Sequence, residues 1–104
     1  MVVISNLDVE VGDTETQIIE PTQTFTGENR TFGVGNRDKE IIATAWGCED
    51  GVNWVEEDSK TIAPEEYKVL VVGPTHYPWL KLTARTTTST ETSIVDGYLT
   101  YTPA

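Results

Sequence analysis

The stretch IATAWGCEDGVNWVEE, residues 42–57, contains two strand-like runs joined by a tight-turn signal. Asp50-Gly51 favours a β-hairpin, because glycine accepts the positive φ angle that a tight turn requires. The hairpin places Val52 and Trp54 on one face of its second strand. A large aromatic side chain just after such a turn usually packs across the hairpin or onto an opposing sheet. We therefore expect Trp54 to point inward, between two layers of sheet.

Strand-like segments recur through the chain at intervals of about ten residues, as in a sandwich or jelly roll. Alternation of side chains predicts a core formed by Ile41, Ala43, Ala45, Leu80, Leu82 and Ala84. YKVLVVG (residues 67–73) is the most apolar segment and is expected to be the most buried strand. TQTFTGENRTFGVG (residues 22–35) predicts a second hairpin, with Phe25 and Phe32 on either side of its turn. The pattern predicts an all-β fold: a single two-sheet β-sandwich or jelly-roll-like domain of about eight strands over residues 1–104.

Seventeen acidic residues against seven basic ones give the 104-residue chain a formal charge of −10. Phosphate backbones and anionic lipids both bind through Lys and Arg, so nucleic acid and membranes are not expected partners. The charge fits either an ordinary acidic domain or a protein adapted to high salt, which screens self-repulsion. The first residues lack the basic segment of a secretory signal, and we expect no export by a cleaved leader.

The chain holds little of what catalysis requires. It has one histidine, His76, and one cysteine, Cys48, so neither a His–His nor a multi-cysteine metal site is available. None of the serines lies in a nucleophile-elbow sequence, and seventeen acids place some carboxylate pair at a suitable spacing by chance. We therefore predict no enzyme activity, no cofactor and no metal site. Cys48 is interpreted as a small buried hydrophobe.

The segment most like a binding site is PTHYPW, residues 74–79. Two prolines stiffen a loop that carries His76, Tyr77 and Trp79, which are the predicted binding residues. Rigid aromatics on the end loops of a sandwich make good contacts for sugars or protein partners. The other interpretation is that Tyr77 and Trp79 cover one end of the core.

Residues 41–101 resemble small β-sandwich structural proteins from the virions of tailed viruses of bacteria and archaea. The resemblance rests on the motif Asp50-Gly51-Val52-Asn53-Trp54, on a Tyr-Pro segment leading into residues 79–85, and on a closing Gly-Tyr strand at residues 97–101. Discoidin-type and carbohydrate-binding sandwiches use a similar Asp-Gly-x-x-Trp hairpin. No catalytic residues carry over from this resemblance.

The resemblance implies a virion component: a capsid decoration, turret or head–tail connector subunit, assembled in the host cytoplasm and docked on the major capsid protein or other virion proteins. We expect a homo-oligomer whose interface uses apolar strand faces around Ile42, Val72 or Tyr101. An acidic exterior would also suit a virus of a haloarchaeon. The alternative is a carbohydrate-binding module that holds a host surface glycan on Trp54, Tyr77 and Trp79.

Overall fold

Eight antiparallel strands form two sheets in the computed structural model, which describes residues 1–24, 28–72 and 77–103. The strands are β1 (Val2–Val11), β2 (Thr16–Gln23), β3 (Glu28–Asn36), β4 (Ile41–Cys48), β5 (Val55–Ile62), β6 (Tyr67–Val71), β7 (Trp79–Thr86) and β8 (Ser93–Thr102). The first sheet has the order β1-β8-β3-β6, and the second has the order β2-β7-β4-β5. Within the described residues, no helix is long and apolar enough to cross a membrane. The predicted all-β sandwich is confirmed.

The hydrophobic core lies between the two sheets. Its largest fully buried side chains include Phe32, Ile18, Ile41, Ile62, Leu70, Leu80, Leu82 and Leu99. All six residues predicted to face inward are 1% exposed or less, because alternate side chains of a strand point to the same face. Removal of this apolar surface from water is the main force that holds the two sheets together.

The connection between β2 and β3 crosses from one sheet to the other. β2 pairs with β7 in the second sheet, whereas β3 pairs with β6 and β8 in the first. The predicted hairpin over residues 22–35 is therefore wrong. Turn residues between two strand-like runs occur in sheet-to-sheet connections as well as in hairpins, and side-chain periodicity is the same in both. Phe32 is buried in the core, and Phe25 lies outside the described residues.

Strand β6 is an edge strand of the first sheet rather than the most buried strand. Leu70 is fully buried, but Tyr67, Val69 and Val71 are 58%, 41% and 55% exposed. The prediction for residues 67–73 is therefore wrong. A continuous apolar run is typical of a strand covered on both faces, but the same run can lie at the edge of a sheet with one apolar face in water.

We predict that Gly97→Ala destabilises the fold, because a Cβ atom there would collide with Cγ2 of Ile18 and approach Cδ2 of Leu82 to 3.3 Å. Overpacking of this kind costs about 1–3 kcal/mol of unfolding free energy. Gly12→Ala is the matched control, since a Cβ atom at Gly12 meets nothing within 4 Å. Urea denaturation followed by tryptophan fluorescence measures both. Equal midpoints for the two variants would contradict the close packing at Gly97.

Candidate interaction surfaces

The outer face of the first sheet carries an apolar strip, defined by Val3, Tyr67, Val69, Val71 and Tyr98. Two rows of cross-strand neighbours build it. One row runs through Val3, Thr100, Thr31 and Val71, and the next runs through Ser5, Tyr98, Gly33 and Val69. Neither row contains a charged residue. The exposed side chains of these two rows are uncharged, and charged groups lie at the margins of the strip, where Asp58 and Lys60 bond to backbone groups of Val71 and Val69.

Two glycines of β3 receive the ring of Tyr67. A Cβ atom at Gly33 would collide with the Tyr67 hydroxyl and ring, and one at Gly35 would lie 3.6 Å from Cδ2 of Tyr67. The ring centroids of Tyr67 and Tyr98 are 6.4 Å apart, with the ring planes tilted by 56°. Tyr67 is thereby held against the sheet although more than half of its surface meets solvent. The glycines leave the space that the Tyr67 ring occupies.

One end of the apolar strip is bounded by an ion-pair cluster. The Arg37 guanidinium contacts the carboxylates of Asp8 and Asp96, with 2.6 Å between Nη2 of Arg37 and Oδ1 of Asp96. Burial would raise the pKa of Asp96, but the hydrogen bonds from Arg37 and from the Asp8 amide outweigh it and lower the pKa. These carboxylates are thus tied to local partners at the boundary of the strip.

The outer face of the second sheet holds all three tryptophans, Trp46, Trp54 and Trp79. The Lys81 ammonium lies 4.5 Å from the ring centroid of Trp54 and 5.5 Å from that of Trp46. The indole N–H of Trp46 donates a 2.8 Å hydrogen bond to the Thr83 hydroxyl. All three indoles are half-buried. We call this group of side chains the tryptophan face.

The prediction that Trp54 points inward between the sheets is wrong. The β4–β5 hairpin is present, but β5 begins only at Val55 and Trp54 lies in the connection before it. This connection is longer than the two-residue turn that Asp50-Gly51 suggested, so the alternation of the strand does not extend back to Trp54. The neighbouring Lys81, which faces outward between Leu80 and Leu82, provides a cation–π partner instead.

The connection between β4 and β5 is organised by the carboxylate of Asp50. It accepts hydrogen bonds of 2.9 Å from the backbone N–H groups of Val52 and Asn53, and one of 2.7 Å from the Asn53 side chain. The buried Cys48 thiol donates to the same carboxylate at 3.0 Å. The Asn53 amide and the other donors lower the pKa of Asp50. Gly51, at φ 79°, brings the connection within 3.8 Å of the Trp79 indole.

The two predicted binding residues that the structure describes, Tyr77 and Trp79, lie on opposite sides of the second sheet. His76 lies outside the described residues. Tyr77 is half-buried, and its ring packs where a side chain at Gly47 would point, on the core-facing side of the second sheet. Trp79 lies on the opposite, outer face of that sheet. The buried Arg30 donates to the Tyr77 carbonyl, so Tyr77 is positioned as a cover for one end of the core.

The interface residues suggested by the sequence are poorly exposed. Val72 is 7% exposed, Tyr101 packs against the core, and Ile42 is half-buried on the outer face of the second sheet. The exposed apolar strip lies elsewhere, on β1, β6 and β8. A signal for it was present in the alternation of Tyr67, Val69 and Val71, but only the edge position of β6 shows that this face lacks a cover.

Among the described residues, no group of three or more His, Cys, Asp or Glu side chains is arranged to hold a metal ion. The carboxylates with shifted pKa values serve structural contacts. Glu66, for example, accepts a 3.1 Å hydrogen bond from the Ala63 amide and pairs with Lys68 at 3.3 Å. The hydrogen bond from Ala63, opposed by desolvation, lowers the pKa of Glu66.

Comparison with known proteins identifies the fold but no family. No family model matches the chain, and no curated protein matches it. The crystal structure of PirA superposes with a TM-score of 0.66 at 14% identity, covering 93% of this chain and 92% of that one. A protein of the Bacillus endospore appendages, described as a family of disulfide-linked pili, gives 0.56 at 12% identity, covering 98% and 89%. The chain thus shares a β-sandwich fold with both proteins, and the predicted likeness to tailed-virus proteins is not confirmed.

We predict that Asp50→Asn lowers the melting temperature at pH 7 and that the difference from wild type shrinks as the pH falls below about 4. The folded state lowers the pKa of Asp50, so the stability it contributes is present above the ordinary aspartate pKa and is lost as protons bind at lower pH. Glu49→Gln is the control, because it removes an exposed charge next to Asp50. Melting curves from pH 7 to pH 2 measure the effect. A difference that does not depend on pH would contradict it.

Proposed function

We propose that this chain is a non-enzymatic structural subunit that self-associates and forms part of a larger assembly. The observation that carries the proposal is the apolar strip, in which Val3, Tyr67 and Val71 are each more than half exposed. Contiguous exposed apolar surface on a soluble domain marks a protein contact more often than a small-molecule site. The side chains of the strip are also uncharged, and charged residues are depleted at the buried centre of interfaces between subunits.

The arrangement of the acids supports a structural role over a catalytic one. Catalysis by carboxylates uses groups whose pKa is raised or matched to the working pH. In this chain Asp50, Glu66 and Asp96 have lowered pKa values, because backbone amides or cations hold each in its charged form. Such groups accept hydrogen bonds and do not release protons near neutral pH.

The assembly that we propose is noncovalent. The appendage protein with the same fold is described as forming disulfide-linked pili, but this chain has a single cysteine. Cys48 is fully buried, and its sulfur donates to Asp50 and accepts from the Gly51 amide at 3.0 Å. A thiol in this position is not accessible to a second subunit. The apolar strip would therefore supply the contact energy.

Within this proposal, a virion is the setting that the sequence resemblance over residues 41–101 supports. The subunit would then be a capsid decoration, turret or connector protein assembled in the host cytoplasm, and its partner would be the major capsid protein or another virion protein. The same strip would serve for contacts between copies and for docking onto the particle. Co-purification of the chain with virus particles from infected cells tests this setting.

We predict that Val69→Lys weakens self-association, because it places a charge within the apolar strip, between Tyr67 and Val71, where a second subunit would remove it from water. Val52→Lys is the matched control: it makes the same exchange at an exposed valine of the β4–β5 connection, away from the strip. Size-exclusion chromatography with light scattering over a range of concentrations measures both. Wild type and Val52→Lys are expected to associate at lower concentration than Val69→Lys. A wild-type chain that stays monomeric at high concentration and high salt would refute the proposed function.

A second candidate, a glycan-binding module, is supported by the tryptophan face. Three indoles on one outer sheet surface form an aromatic platform, and the structure replaces Tyr77 of the sequence-based set with Trp46. Lys81 already covers part of the rings of Trp46 and Trp54, so a sugar would stack on the surface that remains. Glycan-array binding by a monomer, lost in Trp54→Ala and kept in Val69→Lys, would favour this candidate over self-association.

A further inference from the structure

The two sheets have four edge strands: β1 and β6 in the first sheet, and β2 and β5 in the second. The free side of an edge strand presents N–H and C=O groups that can pair with another chain, and natural proteins usually block these groups. The four edge strands of this chain differ in how their free backbone groups are blocked. An edge that is not blocked is the place where a second copy of the chain can pair.

The side of the sandwich formed by β5 and β6 is closed by charged side chains. The Lys60 ammonium donates to the Val69 carbonyl at 2.8 Å, and the Asp58 carboxylate accepts from the Val71 amide at 3.2 Å. In return, the Lys68 ammonium donates to the Thr61 carbonyl at 2.9 Å. Two outward backbone groups of β6, the Val69 carbonyl and the Val71 amide, are therefore occupied, and an added strand would have to displace two charged side chains.

The β2 edge is blocked by its own backbone. Pro21 has no N–H group to donate. The register of β2 against β7 also shifts between Gln17 and Ile19 and again between Ile19 and Thr22. An irregular strand that contains proline is a poor template for a straight partner strand.

Among the residues that the structure describes, none blocks the first half of β1 in these ways. Val2 to Asn6 pair with β8 in an uninterrupted register. The irregularity comes only after Asn6, where Asp8 has a φ of 57° and its amide bonds to the Asp96 carboxylate at 2.8 Å. The segment 1–7 also contains no charged side chain. A regular and uncharged edge is thus present on this side of the first sheet.

The direction of the backbone groups in β1 follows from the ladder of the whole sheet. The Val72 amide bonds to the Arg30 carbonyl, so the even-numbered residues of β3 bond toward β6. Thr31 and Gly33 then bond toward β8, at Thr100 and Tyr98.

The same alternation continues one strand further. Leu99 and Tyr101 of β8 bond toward β1, where their partners are Ile4 and Val2. The N–H and C=O groups of Val3 and Ser5 must therefore point away from the sheet. A groove of about 640 Å³ lies beside this edge, between Ile4–Asn6 and residues 17–23 of β2.

We propose that two copies of this chain join edge to edge through antiparallel pairing of residues 2–6 of β1, with a two-fold axis at Ile4. Val3 of each copy then faces Ser5 of the other, and their outward N–H and C=O groups form four hydrogen bonds. Ile4, which is half-buried at the margin of the core, is covered by the Ile4 of the second copy. The two first sheets become one eight-stranded sheet. This inference rests on the proposed self-association: the β1 edges join two copies, and the apolar strips, which this pairing leaves uncovered apart from Val3, are the surface for contacts with further subunits.

The edge is self-complementary, which points to a second copy as its occupant: about an axis at Ile4, Val3 of each copy faces Ser5 of the other, and no carboxylate lies in the paired segment. Each chain carries a formal charge of −10, so two copies can pair only where carboxylates do not face one another. With the axis at Ile4, residues 2–6 of one copy pair with the same residues of the other copy in the opposite direction. Asp8 then lies outside the paired region. The two-fold axis is perpendicular to the sheet, so both apolar strips lie on the same side of the joined sheet, and Val3 brings them together.

Ser5→Pro tests the pairing. Proline removes the outward N–H group of residue 5 and obstructs an added strand, but it leaves the bonds of Ile4 and Asn6 to β8 in place. Ser5→Ala is the control, because it keeps the N–H group. We expect Ser5→Pro to raise the dissociation constant of the dimer by at least about tenfold, and Ser5→Ala to leave it near the wild-type value. Light scattering gives the masses, and tryptophan fluorescence confirms that each variant is folded.

Amide hydrogen exchange of the wild-type chain provides a test without substitution. The amides of Val3 and Ser5 should exchange rapidly in dilute monomer and become protected at concentrations where the chain associates, whereas the Ile4 amide should be protected in both. If the wild type associates, but Ser5→Pro associates equally well and the Val3 and Ser5 amides stay unprotected, the edge pairing is refuted and the proposed function stands. If the wild type does not associate at all, both are refuted.

Discussion

The packing of the two sheets around Phe32, Leu70, Leu82 and Leu99 is the constraint on which the rest of the structure depends. A strand has two faces, so each residue that does not enter the core must face outward. The outer faces are therefore determined by the same alternation that fills the core. One of them carries the apolar strip, and the other carries the tryptophan face. The two candidate functions of the chain belong to these two surfaces.

Several charged side chains of this protein make contacts that stabilise the fold. Asp58 and Lys60 bond to the Val71 amide and the Val69 carbonyl of β6. Asp50 accepts backbone hydrogen bonds within the β4–β5 connection. Asp96 pairs with Arg37 beside the β1 irregularity. A formal charge of −10 keeps copies of the chain apart wherever carboxylates are exposed. In the proposed assembly, this repulsion would direct contacts between copies to the outer face of the first sheet and to the uncharged half of β1.

The fold is shared with PirA and with the endospore appendage protein at 14% and 12% identity. Very different sequences therefore form this sandwich, which requires only alternating apolar residues and suitable connections. A fold supported so broadly carries little functional information. The features that distinguish this chain are local: the glycines that receive Tyr67, the cation between Trp46 and Trp54, and the edge of β1.

The sequence by itself determined the fold class, the β4–β5 hairpin and the inward-facing residues of β4 and β7, because these depend on interactions between near neighbours and on the two-residue period of a strand. It did not determine that β2 and β3 belong to different sheets, that β6 lies at an edge, or that Trp54 faces outward. Those outcomes depend on which distant strands pair and on which face of a strand the opposing sheet covers. Residues far apart in the chain decide both, as Lys81 does for Trp54 and as the pairing of β3 with β8 does for the place of β6 in the sheet. Only the tertiary structure could therefore identify the exposed surfaces.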